Sequence, residues 1–138
     1  MTAIQINPFI KYQELEFFGT FENASGYKVT TVAGVPTKAA TSGNYTQYAG
    51  ELLYRFGNKE QFYVGGKYNV INGKDNDTAA ERKIDRFNLA GGWFMTKNIL
   101  AKVEYVNQKY NNSNVWGATS ALNGGKFNGL VFEATIGF

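Results

Sequence analysis

The chain has no cysteine and no histidine. That excludes disulfides, thiolate and imidazole metal ligands, cysteine nucleophiles and every serine–histidine arrangement. Cysteine-free composition also suits an oxidising compartment. Proline is scarce, with 2 in 138 residues. No uninterrupted apolar run comes near the roughly 18 residues that a spanning helix needs, which excludes a helical membrane protein. An excess of charge of one sign is missing too: 14 Lys+Arg stand against 11 Asp+Glu, a formal net charge of +3. So small an excess gives no strong pull toward nucleic acid. Met1–Gln5 has neither a basic n-region nor an apolar h-region, so an exported form of this chain is expected to be a mature or truncated one.

What is present is aromatic and glycine-rich. Aromatics make up 16% of the residues, glycines number 16, and 43% of the chain is hydrophobic, which is not a disordered composition. The mean hydropathy of −0.33 would suit a water-soluble protein. One architecture reaches lipid at that value: the transmembrane β-barrel, in which apolar and polar residues alternate.

Alternation runs through the chain. Leu130, Phe132, Ala134 and Ile136, with Phe138, form one face, and Gly129, Val131, Glu133, Thr135 and Gly137 form the other. Ile99, Ala101, Val103 and Tyr105 oppose Lys102 and Glu104; Phe87, Leu89, Gly91, Trp93 and Met95 oppose Arg86, Asn88, Ala90 and Gly92. Phe62, Val64, Gly66, Tyr68 and Val70 oppose Tyr63, Gly65, Lys67 and Asn69. Tyr48, Gly50, Leu52, Tyr54 and Phe56 oppose Gln47, Ala49, Glu51 and Arg55; Leu15, Phe17, Gly19 and Phe21 oppose Glu16, Phe18, Thr20 and Glu22. A period of two marks strands with different solvents on their two sides. Each segment has roughly ten residues, enough for a tilted strand to cross a bilayer.

The expected fold is therefore all-β: an antiparallel transmembrane β-barrel of the outer-membrane type, with six strands visible. A closed barrel needs about eight. Two more strands could come from Ala3–Tyr12 and Lys28–Val35, or the 138 residues could be the C-terminal part of a larger barrel or pair with another chain. Asn7-Pro8 reads as a turn, leaving Ala3–Ile6 as the stub of an earlier strand. Connections alternate: residues 57–60 and 96–98 are tight turns, whereas 26–44, 72–84 and 111–126 read as long polar loops. Outer-membrane barrels keep short turns on the periplasmic side and long loops outside. Tyr54, Phe56, Phe62, Trp93 and Phe138 fall near the short-turn ends, and Tyr45, Tyr48, Tyr68, Tyr105 and Tyr110 toward the long-loop ends, as two interfacial belts would require.

Three strings are more particular: Asn7-Pro8-Phe9-Ile10-Lys11-Tyr12 followed by residues 15–19, residues 85–94, and residues 96–100 continuing through 104–110. Together they resemble the C-terminal part of the phosphate-selective porin O/P family of outer-membrane porins. The final strand, with Phe132, Ile136 and Phe138, resembles the aromatic-ended signal read by the barrel-assembly machinery. The resemblance implies a bacterial outer-membrane location, about sixteen strands in the whole barrel, and passive diffusion of small hydrophilic solutes. The family name implies anions, but no arginine ladder or lysine cluster of the family matches residue by residue.

If the apolar face meets lipid, the other lines a lumen. Its charged residues are Glu16, Glu22, Glu51, Arg55, Lys67, Arg86, Lys102, Glu104 and Glu133, and the expected pore lining is Glu51, Arg55, Lys67, Arg86, Lys102, Glu104 and Glu133. The signs nearly balance, which favours cross-strand ion pairs over a cationic track. No enzyme is expected, since no histidine can activate a nucleophile or a water, and nothing sets two of Glu51, Glu104 and Glu133 opposite each other as a glycosidase pair. Lys74-Asp75-Asn76-Asp77 lacks EF-hand spacing, so no metal or other cofactor is expected. The expected partners are outer-membrane lipid, the assembly machinery, and a second copy or a larger outer-membrane complex. Two other readings fit a period of two: a non-conducting barrel serving structure, adhesion or a larger complex, and a soluble lipocalin-like barrel with its apolar face turned inward.

Overall fold

The structure, a computed structural model, describes residues 1–76 and 79–137. It is all-β: one antiparallel sheet of eight strands, and the sheet is open. In chain order the strands are β1 (Thr2–Ile6), β2 (Phe9–Tyr12), β3 (Leu15–Val32), β4 (Val35–Phe56), β5 (Phe62–Lys74), β6 (Arg82–Thr96), β7 (Ile99–Asn111) and β8 (Lys126–Ile136). From β3 onward each strand pairs with its successor, while β1 and β2 both lie against β3.

β1 and β2 are two halves of one stave. Ile6 pairs with Phe21 and Phe9 with Phe18, a single unbroken register. Asn7-Pro8 is therefore not the turn that the sequence suggests. The Gly19 amide donates to the Pro8 carbonyl at 2.8 Å, but Pro8 has no N–H to return to the Gly19 carbonyl, so the ladder lapses for one bond. Glycine at 19 makes room for the proline ring, because a Cβ there would come within 2.9 Å of Pro8 Cγ. The N-terminal segment thus joins the sheet as one further stave, which turns over Gln13 and Glu14 into β3.

The other expected extra strand, Lys28–Val35, is not separate. It continues β3, reverses at Ala33-Gly34 and returns as β4. Both turn residues have positive φ, 49° and 82°, the geometry that matches the twist of a two-residue hairpin. Residues 26–44, expected as a loop, are thus the upper part of a hairpin. From Tyr27–Ser42 outward its strands pair only with each other.

The face assignments agree with the register except at Met95, where a bulge between Phe94 and Thr96 interrupts the β6–β7 pairing. Leu15 faces Tyr54, Tyr54 faces Val64, Val64 faces Gly91, Gly91 faces Val103, and Val103 faces Phe132. One row higher, Phe17, Leu52, Gly66, Leu89, Tyr105 and Leu130 follow in the same way. On that same face the apolar band ends at Asn23, Thr46 and Asn72 on β3 to β5, and sooner on β6 to β8, where Asp85, Asn107, Lys109, Lys126 and Asn128 stand. The turns at residues 13–14, 57–61 and 97–98 gather at one end of the staves; the other end carries the tight-turned hairpin extension of β3 and β4 and the longer connections 75–81 and 112–125.

There is almost no interior. Val106 is the one buried hydrophobic side chain among the described residues, at 2% exposure, and it belongs to the polar face. The large apolar residues of the other face stand in the open, Leu52 at 49% and Leu89 at 50%. Along β4 the alternation is direct: Tyr48, Leu52, Tyr54 and Phe56 are exposed, while Gln47, Ala49, Glu51, Leu53 and Arg55 are half-buried.

Candidate functional site: the charged hollow

The sheet curves around its polar face. A cavity of ≈ 540 Å³ lies against that face, bordered by Glu51, Arg55, Lys67, Arg86, Lys102 and Glu104. Six of the seven charged residues singled out in the sequence are therefore brought together. Glu133 shares the face and lies 3.6 Å from Lys102, but does not border the cavity.

Most of these charges neutralise one another across strands. Glu16 Oε1 accepts from both Lys11 Nζ and Arg55 Nε, each at 3.1 Å. The Arg55 guanidinium also rests 5.8 Å from the Phe94 ring centre. Lys67 meets Glu51 across strands at 3.7 Å, whereas Lys102 meets Glu104 of its own strand at 2.9 Å. Asn88 donates to Glu104 as well. Arg86 is the exception. Its Nε donates to the Asn88 side-chain oxygen at 3.1 Å, and among the described residues no carboxylate lies within ion-pair distance of it. The expected ion-pair lining thus describes most of the hollow, with one cation left over.

Glycine keeps the hollow open. Tyr63 stands across from Gly92, and a Cβ on Gly92 would fall 2.1 Å from the Tyr63 ring. The ring lies flat on the wall in the space that the missing side chain leaves. Tyr45 lies over its partner Gly73 in the same way. Tyr63, Leu53, Phe94 and Leu100 line the cavity beside the charges. These aromatic and aliphatic neighbours were not singled out from the sequence, although Tyr63 and the glycine opposite it stand on the polar side of the alternation.

A second cluster joins the long connections. The Tyr45 hydroxyl donates to Asp75, and Arg82 Nη1 donates to the same carboxylate oxygen at 2.8 Å. The Arg82 guanidinium lies 5.4 Å from the Trp116 ring centre, and Trp116 meets Tyr110 edge-on at 5.4 Å. The Tyr45 hydroxyl, followed by Arg82, holds the Asp75 carboxyl below its ordinary value of 3.8 despite partial burial. Of the acidic run once compared with a calcium loop, Asp75 is thus taken up by these partners, and Asp77 lies outside the described residues.

The aromatic belts need a correction. At the short-turn end Tyr54, Phe56, Phe62 and Trp93 form a stacked run with ring centres 6.1, 5.7 and 5.8 Å apart. Toward the other end Tyr48 and Tyr68 share the apolar face with them; Tyr105 shares that face but lies in the row of Leu52 and Leu89, and Tyr45 and Tyr110 point to the hollow. Their position along the strand suits a belt; their parity does not. Of the expected assembly signal, Phe132 and Ile136 lie on the apolar face of β8, with Phe132 77% exposed; Phe138 lies outside the described residues.

No family model, no curated protein and no solved structure matches the chain.

Proposed function

We propose that this chain forms wall strands of a bacterial outer-membrane β-barrel that lets small hydrophilic solutes diffuse through, as the C-terminal portion of a porin-like channel. One observation carries the reading: the sheet is inside-out. Large apolar side chains stand exposed across every stave, while the charges gather in the hollow. A face of that kind in water would be an apolar patch far beyond the few hundred Å² that soluble monomers show. In lipid it is the ordinary outer surface of a barrel. The apolar stretch of β4, Tyr48–Phe56, and of β5, Phe62–Val70, spans about 26 Å of strand at roughly 3.3 Å per residue. That suits the thin outer membrane. The stacked aromatics at one end and the tyrosines at the other would sit at its two interfaces. β8, with Phe132 and Ile136 on its lipid side, would carry the signal for the assembly machinery. The lipocalin-like alternative needs its apolar face in the hollow, where this chain carries its charges.

The ion-paired lining favours one other reading, a barrel that does not conduct. Extraction and reconstitution separate them. The expected protein needs detergent, runs faster on gels unheated than boiled, and opens discrete steps in a planar bilayer. A heat-modifiable barrel without steps would select the non-conducting reading. A monodisperse protein in detergent-free buffer would overturn both.

A further inference from the structure

On the apolar face, charge is confined to one end of the staves. Tyr48, Val70, Asp85, Lys109 and Lys126 follow one another across the strands in a single row. From that row down to the tight turns, the apolar face of the described strands carries no other charged side chain. At the row and beyond it, β5 to β8 carry Lys74, Lys83, Lys109 and Lys126 on that face against one carboxylate, Asp85. That carboxylate is already engaged. Lys83 Nζ lies 3.6 Å from it, the Tyr68 hydroxyl donates to it at 3.2 Å, and Asn111 donates to its other oxygen.

Lys109 and Lys126 stand directly opposite each other, and both are exposed. Among the described residues no carboxylate lies within ion-pair distance of either. Like charges placed directly across a ladder destabilise it. An anion held between the two ammonium groups reverses that sign. Their Cβ atoms start about 5 Å apart, as in any directly opposed pair, so both stems can reach one small anion. Just below them Asn107 donates to Asn128, and below that the apolar face begins with Tyr105 opposite Leu130.

The level of the pair selects the kind of anion. Four residues separate Tyr105 from Lys109, a rise of about 10 Å on a strand tilted as barrel strands are. The headgroup layer beyond the hydrocarbon is roughly 5–8 Å deep. Lysine stems lie along apolar surface and keep their ammonium groups at the polar boundary. The two cations thus reach the depth at which lipid phosphates stand. We propose that Lys109 and Lys126, with Lys83 beside them, form a site on the outside of the wall for the phosphate of a lipid headgroup, in the leaflet at the end of the longer connections. This rests on the reading of the apolar face as lipid-facing.

The test uses the protein extracted from membranes and reconstituted into phosphatidylcholine vesicles. Spin-labelled phosphatidic acid and spin-labelled phosphatidylcholine are compared by the fraction of each that the protein holds motionally restricted. The unsubstituted protein should prefer phosphatidic acid. Lys109→Gln and Lys126→Gln should each weaken that preference roughly fivefold, and Lys109→Arg with Lys126→Arg should keep it. Lys59→Gln with Lys97→Gln, at the tight-turn end, should leave it unchanged. An undiminished preference in the Lys109→Gln, Lys126→Gln protein overturns the proposal, as does an equal loss from the tight-turn pair, which would show a general attraction and not a site. Displacement of labelled phosphatidic acid by inorganic phosphate at unchanged ionic strength would assign the lysines to free phosphate and also overturn it. The lipid comparison and the phosphate competition use the unsubstituted protein, so they decide even if a variant fails to assemble. Restricted phosphatidylcholine with no preference for phosphatidic acid would sink this inference alone; a protein that restricts neither lipid would sink the membrane reading with it.

Discussion

The two faces of the sheet use the same backbone and opposite chemistry. The outer face is held by nothing within the chain beyond cross-strand neighbours: its aromatics stack on one another, as in the Tyr54–Phe56–Phe62–Trp93 run, and stand exposed. The hollow face is held by polar pairing: Glu16 with Lys11 and Arg55, Lys102 with Glu104, Tyr63 laid over Gly92. In a water-soluble protein the apolar face would supply the folding energy through burial. Here, within the chain, that face remains exposed, and the charged one is half-buried. The difference teaches what the apolar face lacks within the chain: its apolar side chains would contribute burial energy only under an apolar cover.

Adjacent residues give the sharpest way to break that contrast. Leu89 is on the outer face and Asn88 on the hollow one, near the middle of β6. Leu89→Arg should destabilise the protein in a bilayer by about 2–4 kcal/mol and lower its membrane yield. Asn88→Arg should leave yield within twofold and change conductance instead. Equal losses from the two variants, read by folded yield in outer-membrane fractions, would mean that the faces do not see different solvents.

A smaller effect tests the hollow alone. Glu16 is shared by two cations, so Glu16→Gln leaves Lys11 and Arg55 facing each other without the carboxylate between them. The pair is partly solvated, and a loss of about 1 kcal/mol is expected. Urea titration of the reconstituted protein at low and high salt measures it. The difference from the unsubstituted protein should shrink as salt rises, and a salt-independent difference would point to packing rather than charge.

How far these contrasts were legible in the sequence depended on whether the two faces differ in chemistry along a period of two. Across Tyr48–Phe56 and Phe62–Val70 every outer residue falls opposite another outer residue, because a one-residue slip would turn a whole face over. The same parity found Arg55, Lys67 and Lys102. It failed where the two faces carry the same kind of residue. Residues 26–44 carry Val29, Thr30, Val32 and Val35 with no alternation between faces, so the hairpin looked like a loop even though Ala33-Gly34 marks its turn. Tyr45 and Tyr110 were placed by distance from a strand end, which says nothing about face. Pro8 was read through its local preference, but the register across β3 decides its role: it interrupts a stave instead of reversing it. The Asp75–Arg82–Trp116 contact joins residues from two different connections, and no periodic signal reaches across them.

That last cluster sets the smallest prediction, at the end of the molecule where the two faces cease to differ. Asp75 is held below its usual 3.8 by the Tyr45 hydroxyl and then by Arg82. A carboxyl with a depressed folded value contributes stability above its unfolded value and loses it as pH falls through the folded one. The contact between the long connections should therefore be intact at pH 5 and weaken below 3.8, toward the lowered value. Because Asp75 and Arg82 are each more than a third exposed, the contribution is on the order of a few tenths of a kcal/mol. Trp116 emission should shift between pH 5 and pH 3 as Arg82 is released, while the sheet, read by far-ultraviolet circular dichroism, stays unchanged. Asp75→Asn should remove that step and leave the conductance of the hollow as it was. If the step survives in Asp75→Asn, another carboxyl holds the connections together, and if the sheet melts with it, the mouth and the wall are one cooperative unit.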